Sequence, residues 1–197
     1  MAELLCERLC HDLSSSLGSL AGAVEVAVDD PVNAAEALSV ATESAGALTR
    51  RLRLFRAAWA GDCGALSPAE IAAMLAGHAS RVSLDVAGLA DGSLPSPIGR
   101  LVLNLLLLGI EALPGGGVVT VSGAVGTGLA IVPRGPRAAW PLGFASLLVS
   151  VGPMSESARG LLAPLVMLLA RDAGLRLTLL MAGSADGQPA PLLLSPG

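Results

Sequence analysis

Apolar positions organise the chain from its start. Leu5, Leu9, Leu13, Leu20 and Val24 recur at helical steps between residues 2 and 28, the spacing that places side chains along one side of an α-helix. Asp29-Asp30-Pro31 breaks the pattern. A second run, Leu38, Ala41, Ala45, Leu48, Leu52, Phe55 and Trp59, alternates steps of three and four and is closed by Gly61. Two long helices with a short turn between them predict an antiparallel hairpin. A lone hairpin leaves one flank of each apolar stripe uncovered, so a second copy is expected to complete a four-helix bundle about a two-fold axis.

The texture changes after Gly61-Asp62-Cys63-Gly64. Ser67-Pro68-Ala69-Glu70 reads as N-cap, first helical proline and capping-box glutamate of a helix running to about His78. Alternation at Val82, Leu84 and Val86 predicts a strand, and Ile98 to Leu113 a helix. Val118 to Val121 and Leu129 to Val132 predict two strands joined by a glycine-rich turn. Phe144 to Val151 reads as another strand and Ser157 to Ala173 as a helix stopped by Gly174. Leu175 to Met181 follows as a strand, with a Pro-rich tail after it. The expected fold class is α+β, with a helical hairpin over 1–62 and a second domain, an α/β sandwich, over 65–197.

Composition narrows the function classes. With 197 residues and 53% apolar content the chain can bury a core. Leu101 to Ile110, the one strongly apolar run, is about half the length a bilayer crossing requires and lies between Arg100 and Glu111, so it reads as a buried helix. The start, Met1-Ala2-Glu3, has no secretory pattern, and a cytoplasmic location is expected. The net charge of −4 argues against general nucleic-acid binding, although Arg50, Arg51, Arg53 and Arg56 form a local basic cluster suited to an acidic protein partner. Three cysteines make no disulfide framework, and Cys6 and Cys10, one turn apart in an apolar pattern, read as buried thiols.

His11 carries the candidate chemistry. At 100° per residue it falls roughly opposite the centre of the Leu5, Leu9, Leu13, Leu20 and Val24 cluster. A histidine on an apolar helix is ordinarily a core residue, but this imidazole is expected to face water. Glu7, Ser14, Ser15, Gly18 and Gly22 share its side and make a flat strip open to another helix. In-line phosphoryl transfer needs such room, because the attacking nitrogen and departing oxygen must be held close and aligned. Metal ligation by Cys6, Cys10 and His11 is geometrically poor, since the cysteines are placed toward the core and the histidine away from it. His78 has no acidic or cysteine companion in sequence and gives no catalytic signal.

Leu9-Cys10-His11-Asp12-Leu13, followed by Gly18, resembles the phosphoacceptor box of histidine kinase dimerisation domains, and most of all that of ChpT-type histidine phosphotransferases. The segment from Arg51 to Gly61 is similar to that family's Arg-rich, aromatic helix ending. Leu101 to Pro114 resembles the N-box helix of kinase ATP-binding domains, with Asn104 at the first asparagine and Leu108 at the second. Leucine cannot ligate magnesium, which prefers oxygen. The glycine-rich 123–128 segment lacks the aspartate that would read adenine, and no glycine-rich lid precedes Arg159. Ser16 stands where the family usually has proline.

The resemblance implies a degenerate kinase ATP domain and a histidine phosphotransferase in a phosphorelay. His11 is then the phosphoacceptor, attacking through Nε2 and shuttling phosphoryl groups between aspartates of response-regulator receiver domains without ATP. Asp12, Glu7 and Ser15 are candidate orienters of the ring. Arg8, Ser14, Gly18, Gly22 and Arg56 are the expected receiver contacts. No cofactor is expected on this chain, and the receiver would bring its own magnesium. Two alternatives stand beside this reading: an ATP-dependent kinase with divergent boxes, and a non-catalytic dimeric scaffold.

Overall fold

The computed structural model of the chain describes residues 2–90, 92–149, 160–180 and 187–197. Helix α1 spans Ala2–Asp29 and α2 spans Ala34–Trp59, packed against each other as a hairpin. Asp30 makes the turn. Its carboxylate accepts the Asn33 side-chain amide at 2.7 Å and the Val32 backbone N–H at 3.0 Å, and these bonds hold its pKa below the usual carboxylate value.

The stripe read along α2 divides between two sides. Ala41 and Phe55 are buried, whereas Leu38 and Leu52 are exposed. Helix α1 contains no buried residue at all, and its Leu17, Val24 and Val28 are exposed. Apart from Ala37 and Ala41, the buried residues of α2 lie at its end, where Leu54, Phe55, Ala57 and Ala58 meet the rest of the molecule. Cys6 and Cys10 are exposed, which corrects their reading as buried thiols. They lie on the uncovered flank of α1, beside Leu17 and Val24 at heptad spacing, and not on the flank that meets α2.

Helix α3, Pro68–Leu75, begins with the expected capping box. Ser67 Oγ accepts the Glu70 N–H, and Glu70 returns the bond to the Ser67 backbone. It ends one turn before His78, because Gly77 takes a φ of 74°. Strand β1 (Val82–Leu89), helix α4 (Ser96–Glu111) and strand β2 (Gly117–Ala124) follow, with β1 and β2 parallel and α4 as the crossover. Strand β3 (Gly128–Arg134) pairs antiparallel with β2 across the glycine-rich turn.

Helix α6 (Leu162–Asp172), stopped by Gly174 at a φ of 69°, leads into β4 (Leu175–Leu179). Residues 157–159 and Met181, included in the expected helix and strand, lie outside the described residues. The Pro-rich tail contains a strand of its own, β5 (Leu192–Pro196), which inserts between β3 and β4 to give the order β1-β2-β3-β5-β4. Phe144–Val149 is helix α5, not the strand expected there. Gly143, with a φ of 82°, and the Leu147 N–H bonded to Gly143 O at 3.1 Å start a helical turn, and buried Phe144 packs against Trp140 at 5.6 Å.

The protein is thus α+β: a helical hairpin and a five-stranded mixed sheet covered on one side by helices. Val119, Val121, Leu129, Ile131, Leu192 and Leu194 form the covered side. Every residue of α4 from Leu101 to Gly109 is buried, because the helix touches the sheet, α6 and the end of α2 at once. Gly109 permits its close approach to the sheet, since a Cβ there would stand 3.0 Å from Val119 Cγ1. Among the described residues no helix is long and apolar enough to cross a membrane.

Candidate functional site

His11 stands in the first half of α1 with 73% of its side chain exposed. Its Nδ1 lies 3.2 Å from Asp12 Oδ1. An ionised carboxylate can only accept, so the contact places the ring proton on Nδ1 and leaves the Nε2 lone pair directed at solvent. Among the described residues neither Glu7 nor Ser15, the other candidate orienters, bonds the ring; both are exposed. Adjacent residues on a helix diverge by about 100°, so the His11–Asp12 contact requires something to turn the aspartate back.

Arg8 supplies that restraint. Its Nε donates to Asp12 Oδ2 at 2.7 Å and its Nη1 to Glu111 Oε1 at 2.7 Å, with 16% of the Arg8 and Asp12 side chains exposed. Arg8, expected to meet a receiver, is therefore committed to two carboxylates inside the molecule. Burial opposes its charge, but the hydrogen bonds and fields of Asp12 and Glu111 outweigh it and raise its pKa. Burial pushes Glu111 up although Arg8 pulls it back. From α2, Arg51 Nη1 donates to the Asp12 carbonyl at 2.6 Å and to Ser16 Oγ at 3.3 Å, fixing the α1 backbone beneath the histidine.

Two turns along α1 from the histidine, toward the turn into α2, the hairpin is open. Gly18 and Gly22 lie within about 20° of His11 around α1 at 100° per residue, and a Cβ built on either meets nothing within 4 Å. With Ser19, Ala23 and Val26 of α1 and Glu36, Ala37 and Val40 of α2 they line a groove of about 430 Å³. Ser14 is exposed on the same side, with its hydroxyl bonded to the Cys10 carbonyl at 2.6 Å. Arg56 is exposed but lies about 160° around α2 from Val40, so it does not share the groove. The arginine nearest that side is Arg51, about 20° around α2 from Val40 and already bonded to the Asp12 carbonyl and Ser16; sequence reasoning grouped it with its neighbours and did not single it out. With Arg50, Met74 and His78 it lines a small recess.

His78 is largely buried. Its ring meets Phe55 edge-on at 5.9 Å, its Nδ1 has no partner, and desolvation with the nearby Arg51 charge lowers its pKa to about 4. Phe55 in turn stacks on Trp59 with centroids 4.5 Å apart. Trp59 Nε1 donates to Asn104 Oδ1 at 2.9 Å, and Asn104 Nδ2 donates to the carbonyls of Ala58 at 3.1 Å and Arg100 at 2.8 Å. Asn104 is fully buried and its amide is spent joining α4 to the end of α2. Leu108, one turn on, is also fully buried. Residues 123–128 form the β2–β3 hairpin tip. The segment preceding Arg159, where a lid would fall, lies outside the described residues. Among the described residues no group of three or more histidine, cysteine or acidic side chains could hold a metal ion.

Comparison with known proteins adds two findings. Residues 68–185, more than half of the chain, match the family model described as histidine phosphotransferase C-terminal domain. That match begins beyond the hairpin and does not include His11. A solved structure described as that of a bacterial phosphotransferase superposes with a TM-score of 0.78 at 23% identity, covering 98% of this chain and 94% of the other, hairpin included. A search of curated protein sequences finds no match.

Proposed function

The chain belongs to the histidine phosphotransferase family, and from that premise we propose that it relays phosphoryl groups through His11 between aspartates of receiver domains. The observation that carries this reading is the exposed imidazole whose Nδ1 is engaged by Asp12, on the same face of α1 as a groove that begins two turns on at Gly18. In the forward step the His11 Nε2 lone pair attacks the phosphorus of an aspartyl phosphate. The N–P bond forms, the P–O bond to the aspartate breaks, and the receiver's carboxylate leaves. The phosphorylated ring keeps its Nδ1 proton and carries positive charge, which Asp12 stabilises. The acceptor's carboxylate then attacks phosphorus from the opposite side and expels the neutral imidazole.

No proton changes hands with solvent in either half, so positioning and electrostatics supply the catalysis. The receiver would bring its own magnesium, whose charge would offset that of the phosphoryl oxygens. Transfer independent of ATP is supported by Asn104, which is fully buried and bonded to Trp59, Ala58 and Arg100, so that its amide oxygen is not presented to a nucleotide's metal. A homodimer is supported by the uncovered stripe Cys6, Cys10, Leu17 and Val24 on a helix with no buried residue, since a second copy would bury it as a four-helix bundle.

The test is incubation with a panel of phosphorylated receivers, reading acid-labile phosphate on the chain. Wild type should be labelled and His11→Ala should not. Gly22→Leu should fold at least as well, because helix propensity favours leucine over glycine by roughly 0.5–1 kcal/mol, yet lose labelling about tenfold or more by filling the groove. Equal labelling of His11→Ala and wild type would overturn the proposal.

A further inference from the structure

Glu111 ends α4, 103 residues from Arg8, yet the two side chains meet at 2.7 Å. Four groups stand in line: Glu111, Arg8, Asp12 and His11, with 22%, 16%, 16% and 73% of their side chains exposed. One end is shielded and anchored to the sheet domain, and the other is open to solvent.

Isolated surface ion pairs contribute little, but a guanidinium bridging two partly buried carboxylates fixes the rotamers of all three groups. With Oδ2 of Asp12 tied to Arg8, Oδ1 is the oxygen left for the histidine. If Arg8 were not held, the aspartate would be free to turn toward water, as neighbours on a helix do. We infer that Glu111, acting through Arg8, is a positioning residue for His11: it holds Asp12 in the rotamer that fixes the Nδ1–H tautomer and leaves Nε2 as the nucleophile. This rests on the reading of His11 as phosphoacceptor. Its consequence is that one ion pair from the end of α4 sets the reactive state of a histidine on α1.

The charged groups around Asp12 are Arg8 on the same helix, Arg51 from α2 and Glu111 from α4, with His78 neutral behind them. Arg51 reaches the Asp12 carbonyl and not its carboxylate, so it cannot substitute for Arg8 in setting the rotamer.

The experiment uses the full chain without any receiver. Two-bond ¹H–¹⁵N spectra of ¹⁵N-histidine protein report the tautomer of His11 directly. Wild type is expected to show Nδ1–H as the major tautomer. Glu111→Ala should shift the tautomer population toward Nε2–H as Asp12 disengages. Arg8→Lys keeps the charge but lacks the planar fork, and should give the same shift. Glu111→Gln, which can still accept from Arg8, should restore most of the wild-type tautomer. An unchanged tautomer in folded Glu111→Ala and Arg8→Lys would overturn the inference, whatever the transfer assay gives. If the tautomer shifts but no receiver labels His11, the positioning stands and the relay reading fails.

Discussion

Replacing Asn104 by alanine tests how the hairpin is fixed to the sheet domain. The fully buried amide accepts from Trp59 Nε1 at 2.9 Å and donates to Ala58 O at 3.1 Å and Arg100 O at 2.8 Å. Truncation orphans the Ala58 carbonyl and the indole N–H, while the Arg100 carbonyl keeps its place in the helical ladder. A buried polar group left unpaired costs about 1–3 kcal/mol, and half-buried Trp59 recovers part of its share from water. The sum is about 3 kcal/mol. At roughly 2–4 °C per kcal/mol for a chain of this size, the melting temperature should fall by about 6–12 °C. Circular dichroism and Trp fluorescence melts measure it, and Trp59→Phe, which removes the donor together with part of the ring stacked on Phe55, completes a double-mutant cycle with an expected coupling of about 1 kcal/mol. A loss below about 0.5 kcal/mol, or zero coupling, would refute the role of Asn104 as a structural latch and reopen a nucleotide-box role.

Two further outcomes follow from burial. His78 has a folded pKa of about 4, below its unfolded value of 6.5, so the unfolded chain binds the proton more readily. Its contribution is full above pH 6.5 and is lost as pH falls toward 4, to a limit of roughly 3 kcal/mol; His78→Phe should flatten urea-denaturation stability over that window, and an unchanged slope would contradict the assignment. If the proposed bundle forms, Leu17, exposed on the uncovered side of α1, is essential to it: wild type is expected to sediment as a dimer and Leu17→Glu as a monomer, and identical masses would argue against the bundle.

Local signals were the legible ones. The capping box at Ser67 and Glu70 needs only residues three apart, and the two hairpin helices announce themselves by periodicity. Phe144–Val149 misled because a short apolar run has no period to distinguish strand from helix, and its packing against α6 decided the matter. Strand β5 was hidden in a Pro-rich tail because its partners, β3 and β4, are distant segments. The cysteines were misassigned because an apolar pattern on α1 has two flanks and only one of them meets α2.

The sequence by itself determined the helical hairpin, the α+β class and an imidazole turned away from the Leu5–Leu13 side, since each depends on periodicity within one segment. Only the tertiary structure decided what surrounds that imidazole. Arg8 could have reached for a partner protein, and Asn104 for a metal; contacts with Glu111 and Trp59, 103 and 45 residues away, claim them instead. A side chain's reach is set locally, but what it meets is set by the packing of elements that no local pattern brings together.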